Sequence, residues 1–137
     1  MPICILLAPQ GVSQEAKVAM MGKLTRHIDD AYPITTTHIF VRDAAGRDVM
    51  LAGTLVSDLA AGDSAVRGAR VCILICPPGI GADAKKAMME KLTTDISEAY
   101  PGSDDIFVIH REDDLANVML NGRLQSENPK FTSASPS

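Results

Sequence analysis

Few residues in this 137-residue chain are of a type that does chemistry unaided, and Pro2 is the first of them. Removal of Met1 would turn its nitrogen into a secondary amine. Such an amine is a useful base or nucleophile only when its pKa falls towards neutrality. Burial in an apolar pocket and a neighbouring cation both push it that way. Pro2 heads the apolar run Ile3-Cys4-Ile5-Leu6-Leu7, so a desolvated position is expected for it.

The other candidates read as structural. His27, His38 and His110 have no second ligand at metal spacing. Cys4, Cys72 and Cys76 lie in apolar runs, match no zinc pattern, and are expected as buried, reduced thiols in a cytoplasm. Gly79-Ile80-Gly81 lacks the third glycine of a dinucleotide cradle and is expected to be a plain turn. Asp113-Asp114 after Arg111-Glu112 is expected to be a solvated turn, and the paired methionines fill core. No Ser-His-Asp, Cys-His or paired-carboxylate spacing is present.

Composition sets the class. Hydrophobic residues at 46% and charged residues at 22% are those of a globular domain, and the length suits a single domain over residues 1–137. A net charge of −4 excludes the basic footprint of a nucleic-acid binder. No apolar run is long enough for a bilayer, and no signal peptide heads the chain, so a cytoplasmic protein without membrane or nucleic-acid partners is expected.

What must position Pro2 is a duplicated unit. Ile3-Cys4-Ile5 returns as Val71-Cys72-Ile73 at an offset of 68, followed by Pro9/Pro77, Gly11/Gly79, Lys23-Leu24-Thr25/Lys91-Leu92-Thr93 and Ala31-Tyr32-Pro33/Ala99-Tyr100-Pro101. One inserted residue near Gly102 then moves the offset to 69, where Val49-Met50-Leu51 meets Val118-Met119-Leu120. The repeats span 2–55 and 70–124, with an Ala/Gly/Ser/Asp-rich linker at 56–69 that has room for a short helix. A polar tail at 125–137 is expected to be loose except around Phe131.

Each unit reads as strand, helix, strand. A Pro/Gly turn ends the first strand. Ser13 or Gly81 opens the helix, with Glu15 or Asp83 in its first turn. Met21, Leu24, Ile28 and Ala31, and equally Met89, Leu92, Ile96 and Ala99, form the apolar stripe. Tyr-Pro stops the helix. The second strands are His38-Ile39-Phe40-Val41 and Ile106-Phe107-Val108-Ile109. The predicted class is α/β (α+β): two tandem β-α-β units making a four-stranded sheet with two helices on one face. Within each unit the strands should pair in parallel through a right-handed crossover. Strands apolar at every position are expected to be buried on both faces. Two helices cover one face only, so a homo-oligomer is expected.

Pro2-Ile3 at the start, the unit length, the turn motifs and the closing Asn117-Val118-Met119-Leu120-Asn121-Gly122-Arg123-Leu124 together resemble the tautomerase superfamily. The similarity covers about residues 2–124. Among duplicated chains it extends to fused 4-oxalocrotonate tautomerase, cis-3-chloroacrylic acid dehalogenase-like and malonate semialdehyde decarboxylase-like members. The resemblance implies Pro2 as the catalytic residue, one site per chain because Arg70 stands in the second unit, no cofactor, and a trimer.

The match at the other family positions is uneven. The arginine after the turn glycine is replaced by Val12 and Ile80, and the strand arginine by His38 and Phe107. The pocket phenylalanine falls on Val49 and Val118. The dehalogenase arginines fall on Pro77 and Ile80, its tyrosine on Ile109 and its water-activating glutamate on Leu120. Without that arginine clamp and that glutamate, hydration or hydrolytic dehalogenation is not expected. His38, Phe107 and Arg123 are the expected substrate-binding positions, with Arg42 and Arg111 as other cations. The expected function is a tautomerase or isomerase acting on an enolisable carbonyl compound with Pro2 as base. Two alternatives stand beside it: Pro2 as an iminium-forming nucleophile in a decarboxylase or aldol-type lyase, and a catalytically silent binding scaffold.

Overall fold

A computed structural model describes residues 2–33, 36–59, 68–102 and 105–132. β1 (Ile3–Pro9), α1 (Gln14–Ala31) and β2 (His38–Ala44) form the first unit. β5 (Arg70–Cys76), α2 (Ala82–Ala99) and β6 (Ile106–Glu112) form the second. After β2 and β6 the chain makes small two-stranded hairpins, β3 (Met50–Leu51) with β4 (Thr54–Leu55) and β7 (Met119–Leu120) with β8 (Arg123–Leu124).

The main sheet has the order β2-β1-β5-β6. The strand pair within each unit is parallel, and the units join antiparallel through β1 and β5. Ile3 lies opposite His38 in one unit and Val71 opposite Phe107 in the other, which is the shift from 68 to 69 seen in the repeat. Positions related by the repeat also touch one another. Cys4 Sγ stands 3.5 Å from Cys72 Sγ, and His27 Nδ1 stands 2.5 Å from Asp95 Oδ2. A local twofold axis between the units requires such self-pairing.

The elements form where the local chemistry calls for them. Gly11 and Gly79, at φ of 109° and 114°, sit in the strand-to-helix turns, where a side chain would be strained. The Ser13 hydroxyl accepts from the Ala16 N–H at 3.2 Å and caps α1. Tyr32 and Tyr100 close the two helices, their N–H groups donating to the Ile28 and Ile96 carbonyls.

The core lies between the sheet and both helices, built from Cys4, Leu6, Cys72, Leu74, Leu24, Ile28, Leu92 and Ile96, all fully buried. Each such aliphatic side chain stabilises the fold by about 1.5–3 kcal/mol. One expectation needs correction. Met20 and Met88 take the buried helix positions, four residues before Leu24 and Leu92, while Met21 and Met89 are partly buried beside them. The two helices cover one sheet face only, as the sequence reading requires: Leu7, Phe40, Phe107 and Ile109 on the helix-free face are 41–55% exposed in the single chain. Alternation along each strand sends one set of side chains under the helices and leaves the other set uncovered.

Part of the expected linker, 60–67, and the tail end, 133–137, lie outside the described residues. Val56–Asp58 makes a 3₁₀ turn. In the tail, Gln125–Glu127 forms another such turn with Gln125 buried, and Pro129–Thr132 a short helix, α3. The Gln125 N–H donates to the Val118 carbonyl at 2.8 Å, which ties the start of this segment to the second hairpin.

Candidate active site at the Pro2 end of the sheet

Pro2 is fully buried. Its carbonyl accepts from the His38 N–H at 3.0 Å, which ties the start of β1 to the start of β2. Extending the register from Ile3 opposite Ile75 puts Pro2 level with Cys76, the last residue of β5. Beyond Cys76, its carbonyl accepts from the Asp113 N–H at 2.9 Å, so the segment leading to the second hairpin starts at this same end.

The polar groups gathered here come from three elements. The Tyr32 hydroxyl, at the close of α1, is 2.8 Å from His110 Nε2 on β6, with the two rings stacked 14° from parallel at 6.4 Å between centroids. It also interacts with the Cys76 thiol. Burial dominates the electrostatics. It pushes the Tyr32 phenol well above its ordinary value and the Cys76 thiol up to about 11. It holds His110 below the ordinary histidine value, with Glu112 working against that and Lys85 reinforcing it. All three groups are therefore neutral at pH 7, and they can donate or accept a hydrogen bond without carrying charge.

The other end of the sheet is the repeat's second copy of this place, filled differently. Arg70, in Pro2's position, is 2% exposed and donates to the carbonyls of Tyr100 (3.2 Å), Pro101 (3.1 Å) and Gly68. Tyr100 donates to Asp43 at 3.4 Å, and Asp43 pairs with Lys17 at 2.5 Å. A cavity of about 560 Å³ opens beside it, walled by Leu7, Pro9, Val49, Val56, Ala69 and Val71.

Of the residues expected at the site, Pro2 and His38 come together, through backbone, while the His38 side chain is exposed at the start of β2. Phe107 lies on the helix-free face beside Val71, at the Arg70 end of the same chain. Arg123 is exposed on β8 and lines a cavity of about 380 Å³ with Leu120, Asn121, Gln125 and Asn128. Arg42 is exposed, and Arg111 pairs with Asp113 at 3.6 Å. Sequence reasoning passed over Tyr32, Cys76 and His110 as site residues. The signal was present in the repeat: Cys76 and His110 stand where the first unit has Ala8 and Val41.

A proline at the head of the central strand pair of a duplicated β-α-β sheet leads to a comparison with solved structures. A fused 4-OT wild type, described as an asymmetric trimer, superposes with a TM-score of 0.76 at 20% identity, over 90% of this chain and 96% of that one. A member of the cis-3-chloroacrylic acid dehalogenase family superposes at 0.68 and 19% identity, over 98% and 92%. The macrophage migration inhibitory factor of Toxoplasma gondii does so at 0.67 and 11%, over 88% and 97%. The fold is that of the tautomerase superfamily. No protein-family model matches the chain, and no curated protein matches it in sequence. Within this tautomerase-like fold, no group of three or more metal-ligating side chains is gathered among the described residues. No helix among them is long and apolar enough to cross a membrane.

Proposed function

We propose that the protein is a tautomerase or isomerase in which Pro2, freed as a secondary amine by removal of Met1, shuttles a proton within an enolisable carbonyl compound. The observation that carries this is the complete burial of Pro2 at the one end of a tautomerase-like sheet where neutral polar groups collect. Burial disfavours the cationic form of an amine, and that is the condition for a base working near neutrality. The nitrogen would take a proton from carbon, the C–H pair would move into the new double bond, and the carbonyl π pair would pass to oxygen. Return of the proton to another atom would complete the exchange with no net oxidation.

The substrate class follows from the positions at which the resembled tautomerases carry an arginine. Val12 and Ile80 offer no cationic grip on a carboxylate, so a weakly charged or aryl-substituted enol suits this chain better than a dicarboxylate. We also propose a homotrimer closed over the helix-free sheet face, whose exposed Leu7, Phe40, Phe107 and Ile109 need covering. The fused 4-OT neighbours described as trimers support that assembly.

The test is the pH dependence of N-terminal alkylation by iodoacetamide, read by peptide mass, together with turnover of an aryl enol by Pro2→Ala. Labelling at Pro2 with an inflection near neutrality, and loss of about 10²-fold or more in kcat in the variant, is expected. Unchanged turnover in Pro2→Ala would sink the proposal and leave a binding scaffold as the better description. Borohydride trapping of a Pro2 adduct would instead assign the nucleophilic route.

A further inference from the structure

We propose that the cavity beside the second hairpin is a binding site for a small monocarboxylate, gripped by Arg123 and by the side-chain amide of Gln125. The inference concerns binding alone and stands whether or not Pro2 does chemistry.

Three observations carry it. The first is the lining. The cavity of about 380 Å³ is walled by Leu120, Asn121, Arg123, Gln125 and Asn128: a cation, three amides and an aliphatic group, with no carboxylate. Leu120 and Arg123 stand opposite each other on β7 and β8, on either side of the Asn121-Gly122 turn. The Arg123 guanidinium has no ion pair or hydrogen bond among the described residues. The second is Gln125. It is only 3% exposed, and its side-chain amide has no hydrogen-bond partner among the described residues. Every side-chain nitrogen or oxygen sealed from solvent among those residues does have a partner. The amide is therefore the part of Gln125 that opens onto the cavity, where a ligand would supply the bonds that the fold does not. The third is the internal control that the duplication supplies. At the offset of 69, Asn121, Arg123, Gln125 and Asn128 replace Ala52, Thr54, Val56 and Leu59. The backbone is the same in both copies. The N–H groups of Val56 and Gln125 donate to the Val49 and Val118 carbonyls at 2.8 Å, and those of Leu59 and Asn128 donate to the Val56 and Gln125 carbonyls at 3.1 Å. Val56 is 4% exposed, so the scaffold takes an aliphatic group at this buried place. A glutamine there is not required by the fold, and burying its amide unpaired works against stability.

These groups select the ligand. A guanidinium and a carboxamide both donate to an oxyanion, and one cation matches the single charge of a carboxylate rather than the double charge of a phosphate. Leu120 offers a wall to an apolar substituent.

The test titrates the full-length protein with benzoate, benzamide and inorganic phosphate, followed by backbone amide shifts in NMR spectra. Benzoate is expected to move the Asn121, Arg123 and Gln125 signals, and the other two to leave them in place at the same concentration. Arg123→Gln and Gln125→Val should each weaken benzoate binding about tenfold. Gln125→Val installs the first copy's residue, so its melting temperature should equal or exceed that of wild type, whereas a glutamine kept for structure alone would lower it on removal. No benzoate shift at these positions, or shifts of equal size with phosphate or benzamide, would overturn the inference. So would unchanged benzoate affinity in either variant, or a melting temperature for Gln125→Val clearly below wild type. Labelling at Pro2 by iodoacetamide tests the proline reading separately, so the failure of one leaves the other standing.

Discussion

At the scale of single residues, the two ends of the sheet show how few substitutions separate one copy of the repeat from the other. Arg70 and Pro2 occupy equivalent positions. One is fixed by carbonyls of its own surroundings, while the other lies at the end of the sheet where the neutral groups Tyr32, Cys76 and His110 collect. His110 is the most informative of these because its environment leaves a thermodynamic trace. It faces the Tyr32 hydroxyl at the close of α1, and burial, with Lys85 of α2 reinforcing it and Glu112 on its own strand opposing it, holds its pKa below the ordinary value of 6.5. The folded state therefore binds this proton less tightly than the unfolded chain does. Below about pH 6.5 the unfolded chain holds more protons, so stability rises with pH across that window and is lost on acidification. Urea denaturation of wild type and His110→Gln at pH 7 and pH 5 should show the smaller acid loss in the variant. An equal loss in both would mean that the imidazole titrates freely and is not held as described.

At the scale of elements, most of the fold was legible because the duplication printed it twice. The Tyr32 and Tyr100 stops, the Ser13 cap and the turn glycines each act through local chemistry, which sequence displays directly. The hairpins were missed. Asn121-Gly122 is a two-residue turn signal of the strongest kind, but its copy reads Ala52-Gly53, and the strands it joins are only two residues long. Both pairs adopt positive φ throughout: 48° and 86° in the first, 53° and 80° in the second. Alanine pays a steric penalty there that asparagine and glycine avoid. Ala52→Asn should therefore stabilise the protein by about 0.5–1 kcal/mol, and Asn121→Ala should destabilise it by a similar amount. Thermal denaturation of the two variants checks both signs at once, and a change of the same sign in both would refute the turn assignment. The site was less legible than the fold for a related reason. Tyr32 meets His110 across 78 positions of sequence, and no local pattern announces a contact made only when one unit's helix end reaches the other unit's outer strand.

At the scale of the molecule, the decisive feature is an asymmetry of covering. Both helices lie on one face, and the opposite face presents Phe40 at 55%, Phe107 at 54% and Ile109 at 47% exposure on strands that carry their other side chains into the core. Scattered exposed apolar residues are ordinary on any protein, whereas a contiguous row of aromatic and aliphatic groups across a sheet marks a surface that another surface covers. Phe107 and Val18 allow the two cases to be compared, since Val18 on α1 is 56% exposed and stands on the helix side. Phe107→Asp places a carboxylate where the proposed trimer would exclude water, and desolvating it without a partner costs several kcal/mol per subunit. Val18→Asp places the same charge where water remains. Sedimentation equilibrium should find wild type and Val18→Asp at three times the chain mass of 14.6 kDa and Phe107→Asp shifted towards one. Dissociation by Val18→Asp with Phe107→Asp still trimeric would put the interface on the helices. Wild-type protein that sediments as a single chain would mean that the apolar face has some other cover.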